Sequence, residues 1–298
     1  MADTSPLPTE VALTISRNLR IGRLGTSWDT MSGVRKLLIG LIASLLAALA
    51  AAVVVDFGAA IYAEYRLARS VRTAARLNWD PSAIILGFPF TPQAMGRHYD
   101  EVEIKANDVE QPLVERATLE ATMHSVDLSN ASWLIGPDAV LPVGQLESRI
   151  IIDSRHVGQY LGIKDLMVEA PSPDTSGTPE DTTESGISDS HGLVFTGTPT
   201  AAGLDEPVSV SVDLSMAGAD RTTLVFTATR VLTGPGTAER SVPEEAEDAV
   251  LAAFTAELPE QRLPFGLAPT SQGARGSDVI IEGIADGVTI GLDGFRQS

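Results

Sequence analysis

Hydrophobic positions along this chain follow two patterns, one continuous and one alternating. Residues 37–55 (LLIGLIASLLAALAAAVVV) carry neither charge nor proline. A helix of that length rises about 1.5 Å per residue and just crosses a hydrocarbon core of about 30 Å. The run is apolar on every side, whereas a helix in a soluble core shows a stripe, so it predicts a transmembrane signal anchor over residues 35–56. Arg17, Arg20, Arg23, Arg35 and Lys36 precede it against Asp3, Glu10 and Asp29, and Asp56 follows it directly. The positive-inside rule then leaves residues 1–34 as a cytoplasmic tail and exports residues 57–298. A cleaved signal peptide exports the same domain: Met31 would be the start, Arg35 and Lys36 the charged n-region, and Ala48-Leu49-Ala50 the small-residue cleavage site.

After the run the apolar spacing becomes helical over residues 57–77, with Ile61, Leu67, Val71, Ala74 and Ala75 on one side. Arg66, Arg69, Arg72 and Arg76 recur at three- and four-residue spacing, one face of that helix. Two readings of this basic strip stand side by side: a membrane-surface contact with lipid phosphates, or a solvated face paired with acids of the same domain. Pro89 and Pro92 then interrupt the chain. Beyond them, residues 99–105, 118–126 and 146–153 alternate as strands, residues 156–161 suit a short helix, and residues 164–169 suit another strand. Residues 192–198, 208–216 and 222–231 predict three more strands; in SVSVDLSM the alternation of Val208, Val210, Val212, Leu214 and Met216 predicts one wet face. Residues 244–257 predict a helix with acids in its first turn. Residues 278–292 predict a hairpin around Ala285-Asp286-Gly287. The order gives an α+β domain: one curved antiparallel sheet with two long helices enclosing an apolar cavity, preceded by the transmembrane helix.

Charge narrows the partners. Of 21 basic and 39 acidic side chains, five and three fall in the first 36 residues, leaving 16 against 36, or −20. Such a domain repels nucleic acid, and no nucleic-acid partner is expected. Cysteine is absent, which removes disulfides, thiolate metal sites and a cysteine nucleophile. His98, His124, His156 and His191 stand apart without metal-ligand spacing, and signature loops for nucleophiles, nucleotides and metals are missing. No metal, cofactor or catalytic residue is expected, and a hydrolase with an unrecognised site is the weakest reading. Residues 171–190 (PSPDTSGTPEDTTESGISDS) form an acidic solvated loop. Abundant aliphatic residues beside few polar motifs favour a pocket for an apolar ligand, each buried CH₂ contributing about 0.8 kcal/mol.

Four segments in order, DFGAAIYAEYRLARSVR (56–72), ILGFPFTPQAMGRHYDEVEI (85–104), ERATLEATMHSVDLS (115–129) and LPFGLAPTSQGARGSDVIIEG (263–283), resemble the actinobacterial phospholipid-binding family typified by the lipomannan elongation factor LmeA. The resemblance spans about residues 56–293. It implies a tubular lipid-binding type of fold in the cell envelope, binding of phospholipids including phosphoinositides, and support of mannan elongation in lipomannan and lipoarabinomannan synthesis. The acidic insertion and the tail depart from it. The family offers no catalytic set to carry over.

The candidate lipid-binding residues come from the aliphatic pattern: Ile85, Leu86, Phe88 and Phe90 before the first strand, with Phe88-Pro89-Phe90 at a cavity mouth; Val250, Leu251 and Phe254 on the late helix; and Phe265 and Leu267 in LPFGL. The expected function is a membrane-anchored extracytoplasmic phospholipid-binding protein, its partners a phospholipid or other envelope lipid, the bilayer, and an envelope mannosyltransferase. The competing expectation is a scaffold that positions an envelope glycosyltransferase through its outer surface, with no lipid inside.

Overall fold

The computed structural model describes residues 28–111, 113–170, 187–188, 190–234, 237–238 and 242–296. The apolar run and the helix expected after it are one element, α1 (Trp28–Ala75). No proline interrupts residues 37–75. From Leu37 to Val55 every side chain of α1 is exposed, and by length and composition this stretch can cross a membrane. The tail lies outside the described residues up to residue 27.

From Val54 to Ser298 the chain forms one unit. Within it α1 buries Ala63, Leu67, Val71 and Ala75, a stripe at four-residue spacing. Then come β1 (Ser82–Leu86), α2 (Phe90–Gly96), β2 (His98–Gln111), β3 (Glu115–Asp127), β4 (Val140–Asp153), α3 (Ser154–Leu161), β5 (Met167–Glu169), β6 (Leu193–Gly197), β7 (Val208–Ala217), β8 (Thr223–Leu232), α4 (Glu244–Phe254), β9 (Ala256–Leu258), β10 (Ser271–Arg275) and β11 (Asp278–Gly291). The fold is α+β and its strand pairs are antiparallel, but they form two sheets where one was expected. The orders are β1-β2-β3-β4-β11-β10 and β5-β6-β7-β8-β9. Only α1 is long. The late helix α4 stops at Phe254, and Ala256–Leu258 pairs with β8 as an edge strand.

Period-two burial builds the first sheet. Leu119, Ala121 and Met123 face the core beside Ile150, Ile152 and Ile281. On its other face Glu120, Arg149 and Glu282 are aligned across three strands, and buried Glu282 accepts from Arg149, which also pairs with Glu147. In the second sheet Val208, Val210, Val212 and Leu214 are buried as the alternation predicts, yet Ser209 and Ser211 are buried too. The expected wet face is therefore covered at that end: Ser209 Oγ lies 2.7 Å from Thr196 Oγ1 and accepts from the Ala238 amide at 2.8 Å.

The hairpin expected at Asp286-Gly287 is absent. β11 runs through it in unbroken register with β4, from Asp278 opposite Asp153 to Gly291 opposite Val140. Thirteen matched positions on β4 outweigh one turn dipeptide. The turn falls at Gly276-Ser277, where Arg275 faces Asp278. The acidic loop lies outside the described residues except at its end, where Ile187 is buried and the Ser188 amide donates to Ala274 at 2.9 Å.

Candidate functional site

The nine candidate lipid contacts divide among three environments. Val250 and Phe254 are fully buried in the main core, Leu251 is half-buried beside them, and Ile85 is also buried. Phe90 is buried as the first residue of α2, its ring 5.6 Å from Tyr99 and 6.2 Å from Trp133. Leu86 and Phe88 are exposed. Phe265 and Leu267 border a cleft of about 460 Å³.

That cleft is built by the connection from β9 to β10, residues 259–270, which passes from the second sheet to the first. The Gln261 amide donates to Thr222 at 2.7 Å just before β8, and the Thr270 amide donates to Glu282 of β11 at 2.8 Å. Between them the Pro264 carbonyl accepts from buried Ser148 of β4 at 3.0 Å. Two glycines let this connection lie close. A Cβ on Gly283 would stand 2.6 Å from Leu263 Cδ1 and from the Ala268 oxygen, and one on Gly294 would stand 2.9 Å from the Phe265 ring. Phe265 holds a left-handed backbone at φ 62°, a conformation that a bulky residue keeps only when its surroundings fix it. The Phe295 ring, 5.8 Å away, is part of that support.

The cleft carries both signs of charge. Arg262 and Arg296 line it and are exposed, as are Asp220 and Asp293. Gln261 is buried; its Nε2 donates to Pro259 at 2.9 Å while its Oε1 has no hydrogen-bond partner. Guanidinium groups bind phosphate. Carboxylates and an unpaired amide oxygen accept from hydroxyl or ammonium donors. Together with Phe265 and Leu267 the lining suits a ligand with an anionic group, hydrogen-bond donors and an apolar part. The aliphatic pattern found the two apolar residues and missed Gln261, Arg262, Arg296, Asp220 and Asp293. Gln261 and Arg262 directly precede LPFGL, which was the available clue; Asp220, Asp293 and Arg296 are distant in sequence and reach the site only through the fold.

The basic strip is divided as well. Arg66, Arg69, Arg72 and Arg76 are all exposed. Arg72 pairs with Asp80 at 3.3 Å, Arg69 Nη1 donates to the Tyr65 hydroxyl at 2.7 Å, and Arg76 ends α1 in a left-handed conformation. Arg76 instead borders a pocket of about 170 Å³ with Trp79 and Arg296. Among the described residues no group of three or more histidine, aspartate or glutamate side chains is arranged to hold a metal.

No curated protein and no solved structure matches the chain. Residues 54–284 match the family described as LmeA-like phospholipid-binding. The match begins within α1, ends within β11 and includes the whole connection that forms the cleft. Over more than three-quarters of its length, this chain belongs to the LmeA-like phospholipid-binding family.

Proposed function

We propose that this chain is a membrane-anchored, extracytoplasmic phospholipid-binding protein of the cell envelope, and that it engages its lipid at the cleft formed by residues 259–270. The observation that carries the reading is the lining itself: two arginines for a phosphate, acceptors for headgroup donors, and Phe265 and Leu267 for the start of an acyl chain, in a family of phospholipid binders. A volume of about 460 Å³ lies in the range of ligand sites, about 300–1,000 Å³. It suits a headgroup and the first methylenes rather than two whole chains. The role is binding or presentation of lipid, not catalysis.

Anchoring is supported by the uncharged, exposed stretch from Leu37 to Val55, and the outward orientation by the five basic residues ahead of it. On this reading the lipid is presented to an envelope enzyme such as a mannosyltransferase that extends lipomannan or lipoarabinomannan. Ile85, Phe90, Val250 and Phe254 would meet lipid only if the core opened; in the closed domain they belong to the core, with Leu251 packed against it.

Native mass spectrometry of the full chain, released from nanodiscs of envelope lipids, tests the proposal. A stoichiometric phospholipid that is lost with Arg262→Gln and Arg296→Gln supports it. A folded chain that carries no lipid would overturn it and favour a scaffold acting through its outer surface.

A further inference from the structure

Residues 57–95 carry a surface that the lipid cleft does not use. On α1, Phe57, Ile61 and Tyr65 follow one another at four-residue spacing, and each is more than half exposed. The opposite side of the same turns, Ala63 and Leu67, is buried in the core. Phe88 adds to the exposed side: it is 66 % exposed and its ring stacks on Phe57 with centroids 5.7 Å apart. Met95, on α2, is 81 % exposed. Isolated exposed apolar side chains are ordinary, but a contiguous group of large ones marks a contact surface.

The corner that presents Phe88 is fixed from α1. Asp56, itself buried, accepts from the backbone amides of Phe90 at 2.9 Å and Thr91 at 2.6 Å. Gln93 braces the same corner, donating to the Leu86 carbonyl at 3.4 Å and accepting from the Asp100 amide at 2.9 Å. An exposed phenylalanine is thus held out on a hydrogen-bonded frame.

Farther along α1 the chemistry changes from apolar to aromatic-polar to basic. Tyr62, Tyr65, Arg66 and Arg69 border an open hollow of about 370 Å³ that Pro137 also lines. The Arg69 guanidinium also lies over the Tyr65 ring, 5.5 Å from its centre. Among the described residues neither Arg66 nor Arg69 has a carboxylate within ion-pair distance, unlike Arg72. Apolar side chains, then tyrosines, then arginines is the order in which a bilayer offers acyl boundary, headgroup region and phosphate.

We infer that Phe57, Ile61, Tyr65, Phe88 and Met95, exposed on α1, at its stacked corner and on α2, rest on the outer leaflet of the membrane, with Arg66 and Arg69 on lipid phosphates. The inference rests on the anchoring reading above, because Phe57 stands two residues past the apolar run. The occupant is the bilayer rather than a protein partner: Phe57 follows in sequence two residues after an uncharged run long enough to cross a membrane, and the cations match phosphate in an otherwise acidic domain. It places Phe88 against the membrane instead of at the mouth of an internal cavity.

The chain has no cysteine, so an introduced one is unique. Full-length Met95→Cys and Phe88→Cys, each carrying an environment-sensitive fluorophore, are reconstituted in vesicles of phosphatidylcholine and phosphatidylglycerol. Both labels are expected to shift to the blue and to lose intensity with nitroxide lipids spin-labelled near the headgroup. Met167→Cys, on the exposed apolar side chain of β5, serves as the water-facing control, and Leu46→Cys reports on the span. Labels at 88 and 95 as accessible to an aqueous quencher as the label at 167, with the label at 46 shielded, would overturn the inference and leave the anchor intact. Exposure of the label at 46 as well would overturn both. Adding Arg66→Gln and Arg69→Gln should shift the label at 95 toward its aqueous emission; an unchanged label would remove the arginines from the contact.

Discussion

At the scale of single residues, the most telling atom is the unpaired oxygen of Gln261. A buried acceptor without a donor costs about 1–3 kcal/mol, and Gln261 holds this one beside the cleft that it helps to line. Arg262→Gln or Arg296→Gln should each weaken phospholipid binding about tenfold, the loss of one charge-assisted contact of about 1.4 kcal/mol. Thermal unfolding should barely change, since both side chains are exposed; lipid titration beside differential scanning fluorimetry reads the two separately. Asp165 shows the converse, a polar residue serving the fold. The Thr198 amide, at 2.9 Å, holds its carboxyl below the ordinary range, and the Thr198 hydroxyl, at 2.8 Å, adds to this against the cost of partial burial. The sign follows from the depressed value. The contribution is complete above the unfolded pKa of about 3.9 and is lost as pH falls through the lower folded value. Asp165→Asn should therefore lower the melting temperature at neutral pH and flatten its decline on acidification.

Elements explain why some sequence signals prevailed and others did not. Strands with strict alternation, such as β3 and β7, were legible, as were α3 and the start of α4. Misread segments were those whose state is decided by partners. The Asp286-Gly287 pair looks like a turn alone and is a strand because β4 supplies a matching edge. β1, β9 and β10 are short strands with little alternation of their own, made by pairing with β2, β8 and β11. The same limit hid half the cleft, because Gln261 and Asp293 come together only after both sheets have formed. Val250 and Phe254 illustrate a second ambiguity: a core and a ligand wall ask for the same side chains. Here they are core, so Phe254→Ala should cost about 3–5 kcal/mol in chemical denaturation. Blocking the cleft calls for Leu267→Trp instead, which should abolish lipid retention while the midpoint of denaturation stays nearly constant. Gly283→Val should behave like a core mutant, since its Cβ would already stand 2.6 Å from the backbone oxygen of Ala268.

For the molecule as a whole, charge and topology lead to different predictions. The part that follows the apolar run is strongly acidic, and the basic groups proposed to meet lipid sit on α1 and at the cleft. If residues 57–298 lie outside, a reporter enzyme active only outside the membrane should be active when fused after residue 298 and silent when fused ahead of residue 28. The reverse pattern would refute the orientation drawn from the N-terminal arginines.

The Asp56 hydrogen bonds to Phe90 and Thr91 carry one more consequence, for biogenesis. A peptidase that cut after Ala50 would release the membrane segment yet leave Asp56 and both of its acceptor contacts with the secreted product. The unit that begins at Val54 keeps every contact described for the cleft. Retention or removal of the leader would then decide where the protein resides and how firmly it is held there, while the shape that receives the lipid would be the same in both products.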